Sequence, residues 1–160
     1  MSDDNPAKYH RRSMRLPAYD YTSFGAYYVT VCTRERVPYF SDPICKNMVE
    51  EAWKGLPKHF STIRLDAFAI LPDHVHALLW LIPTEKSRPA LGTIVCTFRA
   101  DVARDWSRHV QANGGVKPAS IWQSGYYDRV IRNEHELQQK RLYILNNPVK
   151  HAMRRNGYEG

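Results

Sequence analysis

Three things are scarce in this chain of 160 residues, and each absence narrows what it can be. No apolar run approaches the roughly 20 residues needed to cross a bilayer. The N-terminus, Met1-Ser2-Asp3-Asp4-Asn5, is acidic and polar, unlike the basic-then-apolar start of a secretory leader. These two absences predict a cytoplasmic protein with no membrane partner. Cysteine is the third: Cys32, Cys45 and Cys96 are odd in number and widely spaced, with no Cys-x-x-Cys. That pattern supports neither a disulfide framework nor a cysteine zinc site, and it leaves the three thiols as small core residues. Internal repeats and low-complexity segments are absent too.

Positive charge and aromatic residues are plentiful. The net charge is +7 and the pI about 9.4. A basic, aromatic-rich domain suits a polyanionic partner, nucleic acid first. Charge alone leaves open a plain protein with a positive surface. The length suits one domain with its own core, spanning 1–160, in which residues 1–24 read as a basic arm containing Arg11, Arg12 and Arg15.

Hydrophobic periodicity gives the element order. Tyr27 to Thr33 is rich in β-branched and aromatic residues and reads as a strand. Asp42 is the expected N-cap of a helix that has Pro43 at its first position. Ile44, Met48, Val49, Ala52, Trp53 and Leu56 form its apolar face, and Pro57 falls just past its end. Residues 62–71 and 75–82 read as two strands about Pro72-Asp73. After a linker from Pro83 to Pro89, residues Leu91 to Trp106 form a second amphipathic helix. Ile121 to Gln123 and Tyr126 to Arg132 look extended. Asn133 to Glu136 resembles a capping-box start, and the last helix is expected to end near Asn146, because Pro148 disfavours helical geometry in the residue before it. The order strand, helix, strand, strand, helix, strand is that of an α+β, ferredoxin-like split βαβ fold: an antiparallel sheet backed by helices, with one extra C-terminal helix.

Within this pattern the tripeptide His74-Val75-His76 stands out. Residues two apart on a strand share a face, so both imidazoles should project together, with Val75 on the other side. Neutral imidazole is the commonest metal-binding side chain, and two on one face can hold a divalent ion with positions left open. On the last helix, Tyr143 and Asn147 lie one turn apart and stack on one face, with Glu136 and Lys140 near the same meridian. Leu137, Ile144 and Leu145 are expected to anchor this helix to the sheet. By itself Tyr143 reads more simply as an ordinary amphipathic tyrosine, half-buried at a helix surface.

Four motifs occur in a fixed order: Leu71-Pro72-Asp73-His74-Val75-His76; Ile121-Trp122-Gln123; Tyr127-Asp128-Arg129-Val130-Ile131-Arg132-Asn133; and Tyr143-Ile144-Leu145-Asn146-Asn147-Pro148-Val149-Lys150. Together they closely resemble the REP-associated tyrosine transposases, part of the HUH group of single-strand nucleases (histidine, hydrophobic residue, histidine). The Arg15-Leu16 pair and the Tyr27–Thr33 strand are similar to that family as well, so the resemblance spans nearly the whole chain. It implies metal ligands at His74 and His76, a third ligand at Asn147, and a nucleophile at Tyr143. It also implies single-stranded or hairpin DNA as partner, a 5′-phosphotyrosine intermediate, and strand transfer at palindromic repeats.

Two imidazoles and an amide oxygen with open positions suit Mg²⁺ or Mn²⁺ better than Zn²⁺, which usually takes a third strong ligand. Arg11, Arg12, Arg15, Arg129, Arg132 and Lys150 are the foremost candidates for DNA contacts; Arg34, Arg36, Arg99, Arg104 and Arg108 are also available for phosphate. Trp122, Tyr126 and Tyr127 are candidates for base stacking, with a core role the simpler reading of Trp122. The competing classes are a relaxase or replication-initiator nickase, a catalytically silent basic nucleic-acid-binding module, and a structural metal protein. The residues leave open whether the site closes within a monomer or across a homodimer.

Overall fold

The first strand, β1 (Gly25–Cys32), is built on the run Tyr27-Tyr28-Val29-Thr30-Val31, whose side chains suit a pleated, buried surface. Two short 3₁₀ turns lead to α1 (Pro43–His59). A hairpin comes next, β2 (Ile63–Leu71) and β3 (His74–Leu81), turning at Pro72-Asp73. Then come α2 (Leu91–Ala112), β4 (Tyr127–Val130) and α3 (Glu134–Arg155). The computed structural model describes residues 25–82 and 89–155, with side chains as far as Asn147. The expected arm over residues 1–24 lies outside the described residues, as does most of the linker from Pro83.

The four strands form one sheet in the order β2-β3-β1-β4, with every neighbouring pair antiparallel. This is the expected α+β, ferredoxin-like arrangement, and β1 and β3 are its central strands. No helix among the described residues is long and apolar enough to cross a membrane.

The sheet separates two apolar clusters. On one face Val29, Val31, Val75, Ala77 and Leu79 pack against α1 and α2 through Val49, Trp53, Ile94 and Phe98. On the other face Tyr28, Leu78 and Tyr127 meet Leu137 and Ile144 of α3. The period-two alternation of β3 puts Val75 on the first face and His74 and His76 on the second, beneath α3. A register shift between Leu65 and Phe68 inserts one extra residue into β2. Such a bulge reverses the alternation along the rest of the strand, which carries Ala67, Ala69 and Leu71 to the α3 side that Asp66 also faces.

Several expectations need correction. Pro57 lies inside α1 rather than past it. In the last turn it forfeits a single helical bond, and the helix still closes through Phe60 N–H to the Leu56 carbonyl at 2.9 Å. α3 likewise continues past Asn146 through Pro148 to Arg155. The residue before a proline is only biased away from helix, and the Ala152-Met153-Arg154-Arg155 stretch beyond has high helix propensity. Leu145 is 61% exposed. Helical spacing explains it: the buried stripe is Leu137, Lys140 and Ile144, and Leu145 falls about a further 100° round. Cys96 is exposed, whereas Cys32 and Cys45 are buried, with burial pushing their thiols up to about 11 and about 12. Ile121–Gln123 is not a strand and makes one isolated bridge, Trp122 with Thr33.

Candidate active site

The two central strands bring His74 and His76 together with residues of β1. Pairing of Thr30 with His76 and Cys32 with His74 sets the register. The two imidazoles meet at their Nε2 atoms, 3.2 Å apart. Their Nδ1 atoms face away, each toward an oxygen. His74 Nδ1 is 2.7 Å from Asp73 Oδ1, which as a carboxylate only accepts, so Nδ1 carries the proton. His76 Nδ1 lies 2.8 Å from the Tyr28 hydroxyl and 3.0 Å from Thr30 Oγ1. With each Nδ1 turned to its oxygen partners, the two Nε2 atoms face each other, and the tautomer that carries its proton on Nδ1 leaves both Nε2 lone pairs free for one shared ion.

Charges around the pair favour this state. Burial pushes His76 well below its ordinary range, and His74, Lys140 and Arg36 push in the same direction, so at neutral pH it is the uncharged, ligand-competent imidazole. Burial alone would raise Asp73, but hydrogen bonds from His74 and Arg36 outweigh it and hold the carboxyl well below the usual carboxylate range. Arg36 Nε donates to Asp73 Oδ2 at 2.9 Å. The result is a chain of partners, Arg36–Asp73–His74, that fixes ring orientation in the way carboxylates fix metal-binding histidines.

A divalent cation fits this geometry. Two nitrogens bound to one ion at about 2.1 Å and near a right angle lie about 3 Å apart, close to the observed separation. Among the described residues no group of three His, Cys, Asp or Glu forms a metal cluster, so a third protein ligand would have to be of another type.

Tyr143 of α3 lies against the histidine pair. Its ring centroid is 5.3 Å from that of His76 and 6.4 Å from that of Tyr28, edge-to-face in both cases. Asn147 lies one turn further along α3 and is half-buried. Lys140 is only 5% exposed; its Nζ lies 4.4 Å from the Tyr28 ring centroid and 5.8 Å from that of Tyr143. α3 is fastened over the site by Leu137 and Ile144, and by a two-point bond from Arg141 to Asp66 at 2.9 and 2.7 Å. At the start of α3, Asn133 Oδ1 accepts from Glu136 N–H at 2.8 Å, half of the expected capping box. The Glu136 carboxylate turns instead to Arg129.

Arg141 holds Asp66 below the usual carboxylate value, with burial opposing and Trp80 assisting. A lowered folded-state pKa gives stability above the ordinary value of 3.8, and that stability is lost as the pH falls. Asp66→Asn should therefore lower stability by about 1–2 kcal/mol at pH 7, and thermal melts repeated near pH 3 should show the two proteins converging.

The other candidates divide. Arg129 is tied to Glu136, and Arg132 is exposed beside the start of α3. Lys150 lies on α3 with its side chain outside the described residues, and Arg11, Arg12 and Arg15 are outside them altogether. Trp122, Tyr126 and Tyr127 are buried. Trp122 packs on Phe40 and Phe98 and donates to the Arg99 carbonyl at 3.0 Å, so it is a core anchor and not a stacking platform. The positioning roles of Tyr28, Thr30 and Arg36 are not evident in the sequence. Alternation along β1 places Tyr28 and Thr30 on one face, but only the pairing with β3 shows that this face meets His76.

The profile of the family described as "Transposase IS200 like" matches residues 22–147, which include the histidine pair, Tyr143 and Asn147. The chain belongs to the IS200-like transposases. It is thus an enzyme of the transposase type. Among similar proteins of Haemophilus influenzae (strain ATCC 51907 / DSM 11121 / KW20 / Rd), an uncharacterised one is 30% identical over 91% of this chain and 92% of its own length. Another, provisionally named a REP-associated tyrosine transposase, is 28% identical over 83% of this chain and 75% of its own. A solved REP-associated tyrosine transposase bound to a REP hairpin superposes with a TM-score of 0.64 at 22% identity, covering 86% of this chain and 74% of that one. A provisionally named transposase from Deinococcus radiodurans gives a TM-score of 0.52 at 19% identity, covering 82% and 95%. At those identities the two structures support the fold of this IS200-like transposase.

Proposed function

We propose that this transposase cuts single-stranded DNA by attack of the Tyr143 phenol oxygen on a phosphodiester, leaving a 5′-phosphotyrosine and a free 3′-OH. The observation that carries the reading is the placement of Tyr143 beside His76 within one chain, 5.3 Å between ring centroids. As the phenol oxygen bonds to phosphorus, its proton passes to solvent. The P–O3′ bond breaks, and the departing oxygen takes up a proton. The new ester conserves the bond energy, so the 3′-OH of another strand can reverse the step and join new partners.

His74, His76 and Asn147 would hold the metal, Mg²⁺ or Mn²⁺. When bound there, such an ion supplies a Lewis acid for the non-bridging oxygens and a template for the scissile phosphate. Asp73 and Tyr28 keep the imidazoles turned toward that point. Asp73→Asn removes the carboxylate that fixes His74, so Mn²⁺ affinity measured by calorimetry should fall about 10- to 100-fold.

Hairpin DNA is the proposed substrate. A relative of the same fold binds a REP hairpin, and the chain carries a net charge of +7. The proposed phosphate contacts are Arg132, which is exposed, together with Lys150 and the basic arm with Arg11, Arg12 and Arg15, with Arg129 available as well. Residues 1–160 act as one domain, in the cytoplasm where such DNA resides. The site closes within one chain, so the chemistry needs no second copy. Covalent capture of a labelled single strand, stable to denaturant, tests the reading; binding without capture would return the chain to the class of silent DNA-binding modules.

A further inference from the structure

Beside His74, on the far side of Arg36, lies a cleft of about 810 Å³, lined on one wall by Arg34, Glu35 and Arg36 and on the other by Arg99, Ser120, the edge of the buried Trp122, Gln123 and Ser124. Its volume is that of a small-molecule site and accommodates a nucleotide. Its walls are already fixed. Arg34 N–H donates to the Ile121 carbonyl at 2.8 Å, and Gln123 N–H to the Cys32 carbonyl at 3.0 Å. The Arg99 guanidinium ties the opposite wall to α2 through the Gln123 carbonyl at 2.9 Å.

Two consecutive residues of the first wall, Glu35 (φ 55°) and Arg36 (φ 57°), adopt left-handed backbone conformations that non-glycine residues disfavour. Strain of this kind gathers at functional sites. Here it accompanies the position of Arg36, which lines the cleft while reaching Asp73 at 2.9 Å and lying 3.4 Å from His74 Nδ1. With Arg36 balanced by Asp73, Arg34 and Arg99 against Glu35 leave the cleft positive, and Gln123 offers a donor and an acceptor side by side.

We propose that this cleft holds one unpaired nucleotide adjacent to the scissile phosphate, with its phosphate against Arg34 and Arg36 and its base against the Gln123 amide and the serine hydroxyls. The inference rests on the proposed function, because it takes the histidine pair as the place of the scissile phosphate. One guanidinium separates the two, so a strand that lays a phosphate on the histidines brings its neighbouring nucleotide to the cleft. Amide and guanidinium groups pair two-pronged with adenine and guanine edges, so a purine is favoured there.

The test is selection of a hairpin library with randomised single-stranded flanks, bound to Tyr143→Phe protein so that no strand is cut. A purine preference is expected at one flank position. Gln123→Ala should flatten that preference, and Arg34→Ala should lower the affinity ratio of flanked to blunt hairpins about tenfold. Both side chains lie at the surface of the cleft, and thermal melts confirm that the variants fold. A pool without flank preference, or one whose preference survives Gln123→Ala unchanged, overturns the inference. Because binding alone is read, either result leaves the covalent chemistry of the unmutated protein to be judged separately.

Discussion

Tyr143→Phe is expected to bind hairpin DNA as tightly as the parent and to form no covalent adduct. The substitution keeps the ring that packs edge-to-face on His76 and Tyr28, so the site and α3 should be undisturbed. Only the oxygen that would bond to phosphorus is removed. Loss of a nucleophile costs several orders of magnitude, so adduct formation should fall by about a thousandfold or more, to background. Denaturing gels of labelled single strands measure it. Tyr126 and Tyr127 provide the internal comparison: both are buried, and their phenylalanine variants should still form the adduct.

His76→Ala should have the second largest effect. It removes one of two converging Nε2 atoms and leaves the Tyr28 and Thr30 hydroxyls without their shared partner. Cleavage should drop more than about a hundredfold, beyond the usual loss on changing an outer partner of a metal ligand. EDTA should have the same effect on the parent protein. Undiminished cutting in EDTA would remove the metal from the account. Mixing His76→Ala with Tyr143→Phe adds information, because each retains what the other lacks. A site closed within one chain predicts no recovery, whereas restored cutting would show that α3 of one copy serves the histidines of another.

Much of this centre is legible in the sequence because its parts obey short-range rules. Period two puts His74 and His76 on one strand face, and one helical turn relates Tyr143 to Asn147. The element order likewise announces the split βαβ sheet. The features hidden from the sequence depend on long-range pairing. Tyr28 and Thr30 reach His76 because β1 pairs with β3 in one register, a relation between segments 46 and 48 residues apart. Asp66 meets Arg141 across 75 residues, at a bulge that reverses the alternation of β2. Lys140 reads as part of a polar stripe and is instead buried, with its ammonium over the Tyr28 ring and near that of Tyr143. The ends of α1 and α3 differ from expectation for a local reason: a proline close to a helix end weighs less than the tertiary context around it.

A DNA-cutting centre built from the histidine pair and Tyr143 of one chain is tested without any substitution. The unmodified protein is incubated with labelled single-stranded hairpin DNA and Mn²⁺, the trapped complex is digested, and the attached nucleotide is located by mass spectrometry. A 5′-phosphate ester on the peptide containing Tyr143, abolished by EDTA, is the expected result. An adduct on any other residue, or DNA cut with no covalent intermediate, would refute the proposed centre.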